Sequence, residues 1–266
     1  MSRLVETRGI QPLESTPGET FKIRRELIDG YNHVNHAAYI RLFEESRHML
    51  GLARNMHVSR ISVTYDDQFR QGDTAKIEAH VFERNDGLLV VGQEMRKPGS
   101  ERMVRQSTRL LAGNSSEPVP EEFSPFNPRN HPLIADLASP IKLPRPDSTE
   151  YHTVFAPLFE AERAKVIQKQ GVSVKQLAQE FAIRTVVVHL DAYYTGRTIP
   201  GEVALALTRG HLDMRSRGGY ASMLFQQSMV GQDEIPLAIQ QTRYLFIDNN
   251  ENRVNLPPEA EALITG

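Results

Sequence analysis

The chain has 266 residues and balances 31 Lys and Arg against 33 Asp and Glu, a formal net charge of −2, which lacks the cationic excess needed to neutralise nucleic-acid phosphates. It contains no Cys, so disulfides, thiolate metal sites, iron–sulfur clusters and a cysteine nucleophile are excluded. At 39% hydrophobic residues it can bury a core, yet no apolar run is long enough to span a bilayer and no leader segment is visible, so a soluble cytoplasmic protein without nucleic-acid or membrane partners is expected.

Residues 1–18 read as an arm. Phe21 to Ile28 can form a strand, and a helix follows from about Asn35 to Leu52, with Tyr39, Leu42, Phe43, Ser46, Met49 and Leu50 on one face. Four strand-like runs come next, at 56–66, 73–84, 88–97 and 102–111. Asn85-Asp86-Gly87 and Pro98-Gly99-Ser100 are hairpin turns between the last three. Ala75, Ile77, Ala79 and Val81 alternate as a half-buried strand requires. Eight of the 16 Pro then fall between Pro118 and Pro146, a composition that suits an extended, semi-rigid connector. The expected division is a first domain over 19–113, a linker over 114–146 and a second domain over 147–266.

The second half repeats the first. HAAYIRLFEESR at 36–47 and HTVFAPLFEAER at 152–163 share His36/His152, Leu42/Leu158, Phe43/Phe159, Glu44/Glu160 and Arg47/Arg163, with Tyr39/Phe155 a conservative pair. Tyr65 stands seven residues before Gly72-Asp73, as Tyr194 does before Gly201-Glu202, and Gln106-Ser107-Thr108-Arg109 is echoed by Gln240-Gln241-Thr242-Arg243. GVSVKQLAQEF accounts for the extra length in the second half as one more short helix. Internal duplication is the economical explanation. Strand, helix and four antiparallel strands, twice over, make an α+β arrangement of one sheet around one helix. In the repeated helix Pro157 fits only the first turn. Glu44/Arg47 and Glu160/Arg163 read as i,i+3 surface ion pairs worth a few tenths of a kcal/mol, on the order of the usual magnitude.

The densest polar cluster is Asp29-Gly30-Tyr31-Asn32-His33-Val34-Asn35-His36, at the entry to the first helix. A carboxylate there could activate water or attack a carbonyl, and the N–H groups of the helix start could hold the oxyanion. Equally, Asp29 and Asn35 could simply cap a turn and a helix. Metal binding by Asp29, His33 and His36 has no recognised ligand spacing behind it. The basic run Arg96, Lys97, Arg102, Arg105 and Arg109 could meet the phosphates of a substrate or serve solubility. His189 and His211 fall in strand runs and read as packed or surface residues. No nucleophile elbow, phosphate loop or dinucleotide fingerprint is present.

The run D-G-Y-N-H-V-N-H-A-A-Y-I-R-L-F-E-E-S-R resembles the entry to the central helix in hotdog-fold thioesterases of the 4-hydroxybenzoyl-CoA thioesterase-like and acyl-ACP groups. The Tyr65…Gly72-Asp73 and Tyr194…Gly201-Glu202 blocks resemble the strands that follow in that family, and FIDNNENRVNLPPE resembles its closing segment. The resemblance implies two tandem hotdog domains that hydrolyse an acyl-CoA or acyl-ACP thioester without metal or organic cofactor. It implies Asp29 as general base or nucleophile, His33 and His36 as the candidate catalytic imidazoles, and Asn35 as orienter of substrate or water. The N–H groups of residues 36–38 would face the carbonyl. Tyr39, Gln68, His152 and Phe155 would line the substrate. A hydratase or dehydratase and a non-catalytic acyl-thioester-binding protein are the rivals. Exposed sheet edges make a homodimer of double-hotdog chains an expectation. The chain also departs from the family: Asn32 replaces a common Gly, Tyr31 replaces an Asn, and Gln68 stands where acyl-ACP enzymes carry an acid. In the second half Asp147 precedes His152 without a His-Val-Asn run, so that half is expected to be a degenerate site.

Overall fold

The computed structural model describes residues 11–16, 18, 20–29, 32–49, 51, 56–85, 87–113, 119, 123, 133–143, 151–169, 174–196, 203–213 and 220–265. The chain forms two compact units. The first takes Met1–Pro118 together with Pro146–Ala156 and Asp191–Arg197, and the second takes Val119–Arg145, Pro157–Leu190 and Thr198–Gly266. No helix among the described residues is long and apolar enough to cross a membrane.

In the first unit, α1 (His36–Met49) is followed by β3 (Met56–Tyr65), β4 (Thr74–Asn85), β5 (Leu88–Arg96) and β6 (Met103–Ala112). These four strands match the runs expected from the sequence. The segment before the helix does not: it is broken into β1 (Glu14–Thr16), β2 (Thr20–Lys22) and a 3-10 turn over Arg25–Leu27. Strand order is β1-β4-β5-β6-β3, with β2 also on β4. The pairs are antiparallel, with Ile77 opposite Met95 and Gln93 opposite Gln106. Ala75, Ile77, Ala79 and Val81 are buried, so the alternation along β4 marks the core face.

The second unit contains β7 (Leu133–Lys142), most of α2 (Tyr151–Lys169), α3 (Val174–Phe181), most of β8 (Arg184–Tyr194), β9 (Val203–Asp213), β10 (Ser222–Val230), β11 (Pro236–Ile247) and α4 (Pro258–Thr265), with strand order β8-β11-β10-β9-β7. Its core joins Val166, Leu177, Ile183, Leu212, Met223, Phe225, Phe246 and Ile264. The expected extra helix is α3. Within the Pro-rich stretch, residues 133–142 form a strand that holds Pro140 opposite Leu205. An edge position tolerates Pro because one side of the strand needs no N–H donors. Pro157 is the seventh residue of α2, beyond the first turn where it was expected, and the first unit ends there, at Ala156. The turn at 217–219 lies outside the described residues.

Polar residues on the buried faces of both sheets have a common cause. Arg47 and Arg163 are among the most buried side chains, at 0% and 1% exposure, which overturns the surface-pair expectation for Arg47 with Glu44. Arg47 donates to Gln93 Oε1 at 2.7 Å and Thr108 Oγ1 at 2.8 Å, and pairs with Glu44 one turn back. Gln93 in turn donates to the Phe43 carbonyl at 2.8 Å. The second unit repeats the arrangement: Arg163 donates to Gln227 Oε1 at 2.5 Å, Thr242 Oγ1 at 3.4 Å and the Tyr244 hydroxyl at 2.9 Å, while Gln227 donates to the Phe159 carbonyl at 2.7 Å. On α1 the expected Tyr39, Leu42, Phe43 and Ser46 are buried, with Ile40, Glu44 and Arg47 buried beside them, whereas Met49 is 69% exposed; Leu50 lies outside the described residues.

Because guanidinium stays charged, its removal strands acceptors that have no water to turn to. Arg47→Met is expected to cost about 3–5 kcal/mol of unfolding free energy, the usual penalty for breaking a buried charged network, as measured by urea denaturation.

Candidate functional site

The expected catalytic run forms a tight hairpin. Ile28 bridges Val34, the Asp29 N–H donates to the His33 carbonyl at 2.8 Å, and the Asn32 N–H to the Asp29 carbonyl at 3.3 Å. Asp29 Oδ1 accepts the His33 N–H at 3.1 Å. Asn32 has φ +63°, in the left-handed region where Gly and Asn sit with least strain, so Asn can stand where the resembled family carries Gly. Asp29 thus caps its own turn. Gly30 and Tyr31 lie outside the described residues, as does Asp147.

The hairpin leads directly into α1. The Asn35 N–H donates to the Leu27 carbonyl at 2.9 Å, and Asn35 Oδ1 accepts the Ala37 N–H at 2.7 Å, an N-cap of the usual kind. The Ala37 N–H is therefore engaged within the cap, which narrows the expected oxyanion donors at residues 36–38. His33 and His36 are both buried, each at 8% exposure.

The β3–β4 loop is stapled to this entry through Phe69. Its carbonyl accepts the Val34 N–H at 2.8 Å, and its N–H donates to the Tyr39 hydroxyl at 3.1 Å. The ring of Tyr39 meets Tyr65 and Phe69 edge-on. Burial raises the Tyr39 phenol well above its ordinary range; the Phe69 N–H opposes this, and the nearby charges of Asp67, Asp29 and Asp73 add to it. Gln68 is next to Phe69 in this loop; its N–H donates to Asp67 Oδ1 at 2.8 Å and its carbonyl accepts Lys97 Nζ at 2.8 Å. Asp67 is a carboxylate at the site that sequence reasoning passed over.

The basic run is largely neutralised within the unit. Arg96 pairs with Glu94, Arg105 with Asp66, and Lys97 with Asp73 at 3.1 Å and Asp67 at 3.6 Å. Among the described residues the ligand atoms of Glu78, His80 and Glu94 come within 4.8 Å of one another. Lys76 lies 2.7 Å from Glu78, however, so one of those acids already has a cation.

His152 and Phe155 belong to the first unit with the hairpin, brought there by the first turn of α2. His152 Nε2 lies 2.6 Å from Glu44 Oε2, and both side chains are buried. Glu44 also pairs with Arg47 and lies 3.0 Å from His48 Nε2. Burial alone would raise the Glu44 carboxyl, but the His152 hydrogen bond and the charges of Arg47, His152 and His48 prevail and lower it to about 2. The sequence signal was there: Glu44 and Glu160 are equivalent in the duplication, and acidic residues at a buried helical position need partners. His189 is half-buried on β8 and His211 is buried on β9.

A carboxyl lowered in the folded state contributes stability above its unfolded value of 4.5, lost as the pH falls toward about 2. Acid unfolding should therefore show a declining limb below about pH 4.5 that is shallower in Glu44→Gln, with Glu44→Gln the less stable protein at pH 7; circular dichroism against pH measures both.

The profile of the acyl-ACP thioesterase C-terminal domain matches residues 10–108, which include the hairpin and α1. No curated protein matches the chain by sequence. Among solved structures, the chain is similar to a protein from Lactobacillus plantarum provisionally described as an oleoyl thioesterase, with TM-score 0.62 and 10% identity over 92% of this chain and 99% of that one. It is similar to the 12:0-ACP thioesterase of Umbellularia californica, with TM-score 0.58 and 11% identity over 86% and 93% of the two chains. It is also similar to an acyl-CoA thioesterase II of Mycobacterium marinum, with TM-score 0.52 and 8% identity over 78% and 87%. The fold is that of the hotdog thioesterases, α+β as expected.

Proposed function

We propose that the chain is a tandem double-hotdog thioesterase that hydrolyses an acyl-CoA or acyl-ACP thioester to free acid and thiol. The observation that carries this reading is the Asp29–His33 hairpin. It sets a carboxylate at the capped start of α1, inside the segment that matches the acyl-ACP thioesterase domain. The solved structures similar over most of the chain include acyl-ACP and acyl-CoA thioesterases, which supports the same substrate class.

In this mechanism Asp29 acts on the thioester carbonyl in one of two ways. As general base it takes a proton from water, whose oxygen adds to the carbonyl carbon; as nucleophile it forms an acyl anhydride that water then opens. In both, the developing oxyanion is met by positive dipole at the helix start, and the sulfur leaves as thiolate and gains a proton. His33 and His36 are the imidazoles that move that proton in this reading. Asn35 holds the helix start, and Tyr39, Gln68, His152 and Phe155 bind the substrate. The second half carries no His-Val-Asn run before its helix, so the chemistry is assigned to the first half.

Thiol release from acyl-CoAs and acyl-ACPs of short, medium and long chain, read with a thiol-reactive dye, tests this directly, since the chain has no Cys to give background. Wild type should turn over at least one of them. Asp29→Asn keeps an oxygen for the His33 N–H, so it should melt as wild type while kcat drops about a hundredfold or more. No turnover of any thioester rejects the reading, and turnover indifferent to Asp29→Asn removes Asp29 from the chemistry.

A further inference from the structure

Lys97, the first residue beyond β5, is the cation on which the loop beside the Asp29 hairpin converges. Its own backbone is fixed by the turn it opens, where the Lys97 carbonyl accepts the Ser100 N–H at 3.1 Å. From there the side chain reaches four residues of one loop. Nζ donates to the Gln68 carbonyl at 2.8 Å, lies 3.1 Å from Asp73 and 3.6 Å from Asp67, and stands over the Phe69 ring at 5.2 Å from its centroid. An ammonium carries three donors and no acceptor, which suits a point where one carbonyl and two carboxylates meet. Burial would raise the Asp73 carboxyl, but the Arg70 N–H and the Lys97 ammonium hold it below its ordinary value.

Phe69 passes this restraint on to the hairpin. Its carbonyl accepts the Val34 N–H, and its N–H donates to the Tyr39 hydroxyl on α1. A shift of the loop therefore carries Val34, and with it the turn that bears Asp29.

The duplication supplies an independent observation. Leu88–Arg96 and Ser222–Val230 are strands of equal length, and Gln93 and Gln227 play the same part in each, donating to a helix carbonyl. The next residue is Lys97 after the first strand and Gly231 after the second. Counted from Tyr65 and Tyr194, Asp67 and Phe69 correspond to Gly196 and Thr198. The half without the His-Val-Asn run thus also lacks the ammonium, one of its carboxylates and the ring beneath it. A lysine that served the sheet would be needed in both copies, whereas one that serves the hairpin is needed in one.

We propose that Lys97 is a positioning residue for the Asp29 site, holding Phe69 so that its bonds to Val34 and Tyr39 keep the hairpin in register with the start of α1. Its effect on turnover rests on the thioesterase reading; its effect on the hairpin does not.

Two substitutions test this. Lys97→Met keeps the stem and removes the charge, while Lys97→Arg keeps a cation able to pair with carboxylates and stack on Phe69. Hydrogen–deuterium exchange at the Val34 amide should be about tenfold faster in Lys97→Met, the value of one hydrogen bond to a charged group, while amides of the β5–β6 ladder keep wild-type rates. With the best thioester of the panel, kcat should fall about tenfold and KM stay within about twofold, and Lys97→Arg should recover most of both readouts. Because Lys97 and Tyr39 act through the same Phe69, Lys97→Met and Tyr39→Phe combined should lower kcat by less than the product of their separate effects.

Unchanged Val34 exchange in Lys97→Met overturns the proposal. Uniformly faster exchange across the unit, or failure of Lys97→Met to fold, makes the residue merely structural and overturns it too. A rise in KM with kcat held would make Lys97 a substrate contact, and fully multiplicative effects with Tyr39→Phe would separate it from Phe69; either result also sinks the idea. Locally faster Val34 exchange in a protein that turns over no thioester would reject the hydrolase reading and leave the positioning role standing. Asp29-dependent turnover that Lys97→Met leaves intact would do the reverse.

Discussion

A guanidinium buried beneath a sheet cannot shed its charge, and much of this fold is arranged to meet that constraint. Arg47 reaches from α1 to Gln93 on β5 and Thr108 on β6, and Arg163 reaches from α2 to Gln227 on β10 and Thr242 on β11. Hydrophobic contacts between a helix and a sheet tolerate sliding. A fork of N–H donors that must find fixed oxygens does not. Each glutamine then returns its amide to a helix carbonyl, so helix and sheet are tied in both directions. The rotational setting of α1, and hence where its capped end emerges, follows from this tie.

With α1 fixed, the polar hairpin before it has little freedom. Leu27 receives the Asn35 N–H, Phe69 receives the Val34 N–H, and the Tyr39 hydroxyl receives the Phe69 N–H, so three separate segments hold the turn that bears Asp29. Such a turn holds its carboxylate and the helix start in fixed register. The two halves keep their common frame and differ at the hairpin and in the hydroxyl lost from Tyr39 to Phe155. Glu44 adds an asymmetry of its own, serving Arg47 on its own helix and His152 from the repeat.

How far the sequence could be read depended on the range of the interaction. Periodicity placed β3 to β6, α3 and the helix of each half, because alternation and helical spacing are local consequences of one buried face. The strand expected over 21–28 broke into a short strand and a 3-10 turn, since its partners were on β4 and in the hairpin, out of reach of a local pattern. Helical spacing placed Tyr39, Leu42, Phe43 and Ser46 on the buried face of α1 but also put Met49 there, which is 69% exposed, and left out Arg47, which is buried. An arginine looks like surface until its acceptors are known, and those acceptors lie 46 and 61 residues further along the chain.

From the sequence alone came the duplication, the α+β class, the exclusion of cysteine chemistry and the concentration of polar groups at 29–36. Each is carried by composition, repetition or neighbours in the chain. Tertiary structure alone decided that Asp29 closes its own turn, that Phe69 staples a loop to Tyr39, that most of the basic run is spent on neighbouring acids, and that Glu44 meets His152 across 108 residues of sequence. Those outcomes turn on which charges and donors are buried together. Burial is set by packing among distant segments, and no local pattern of residues encodes it.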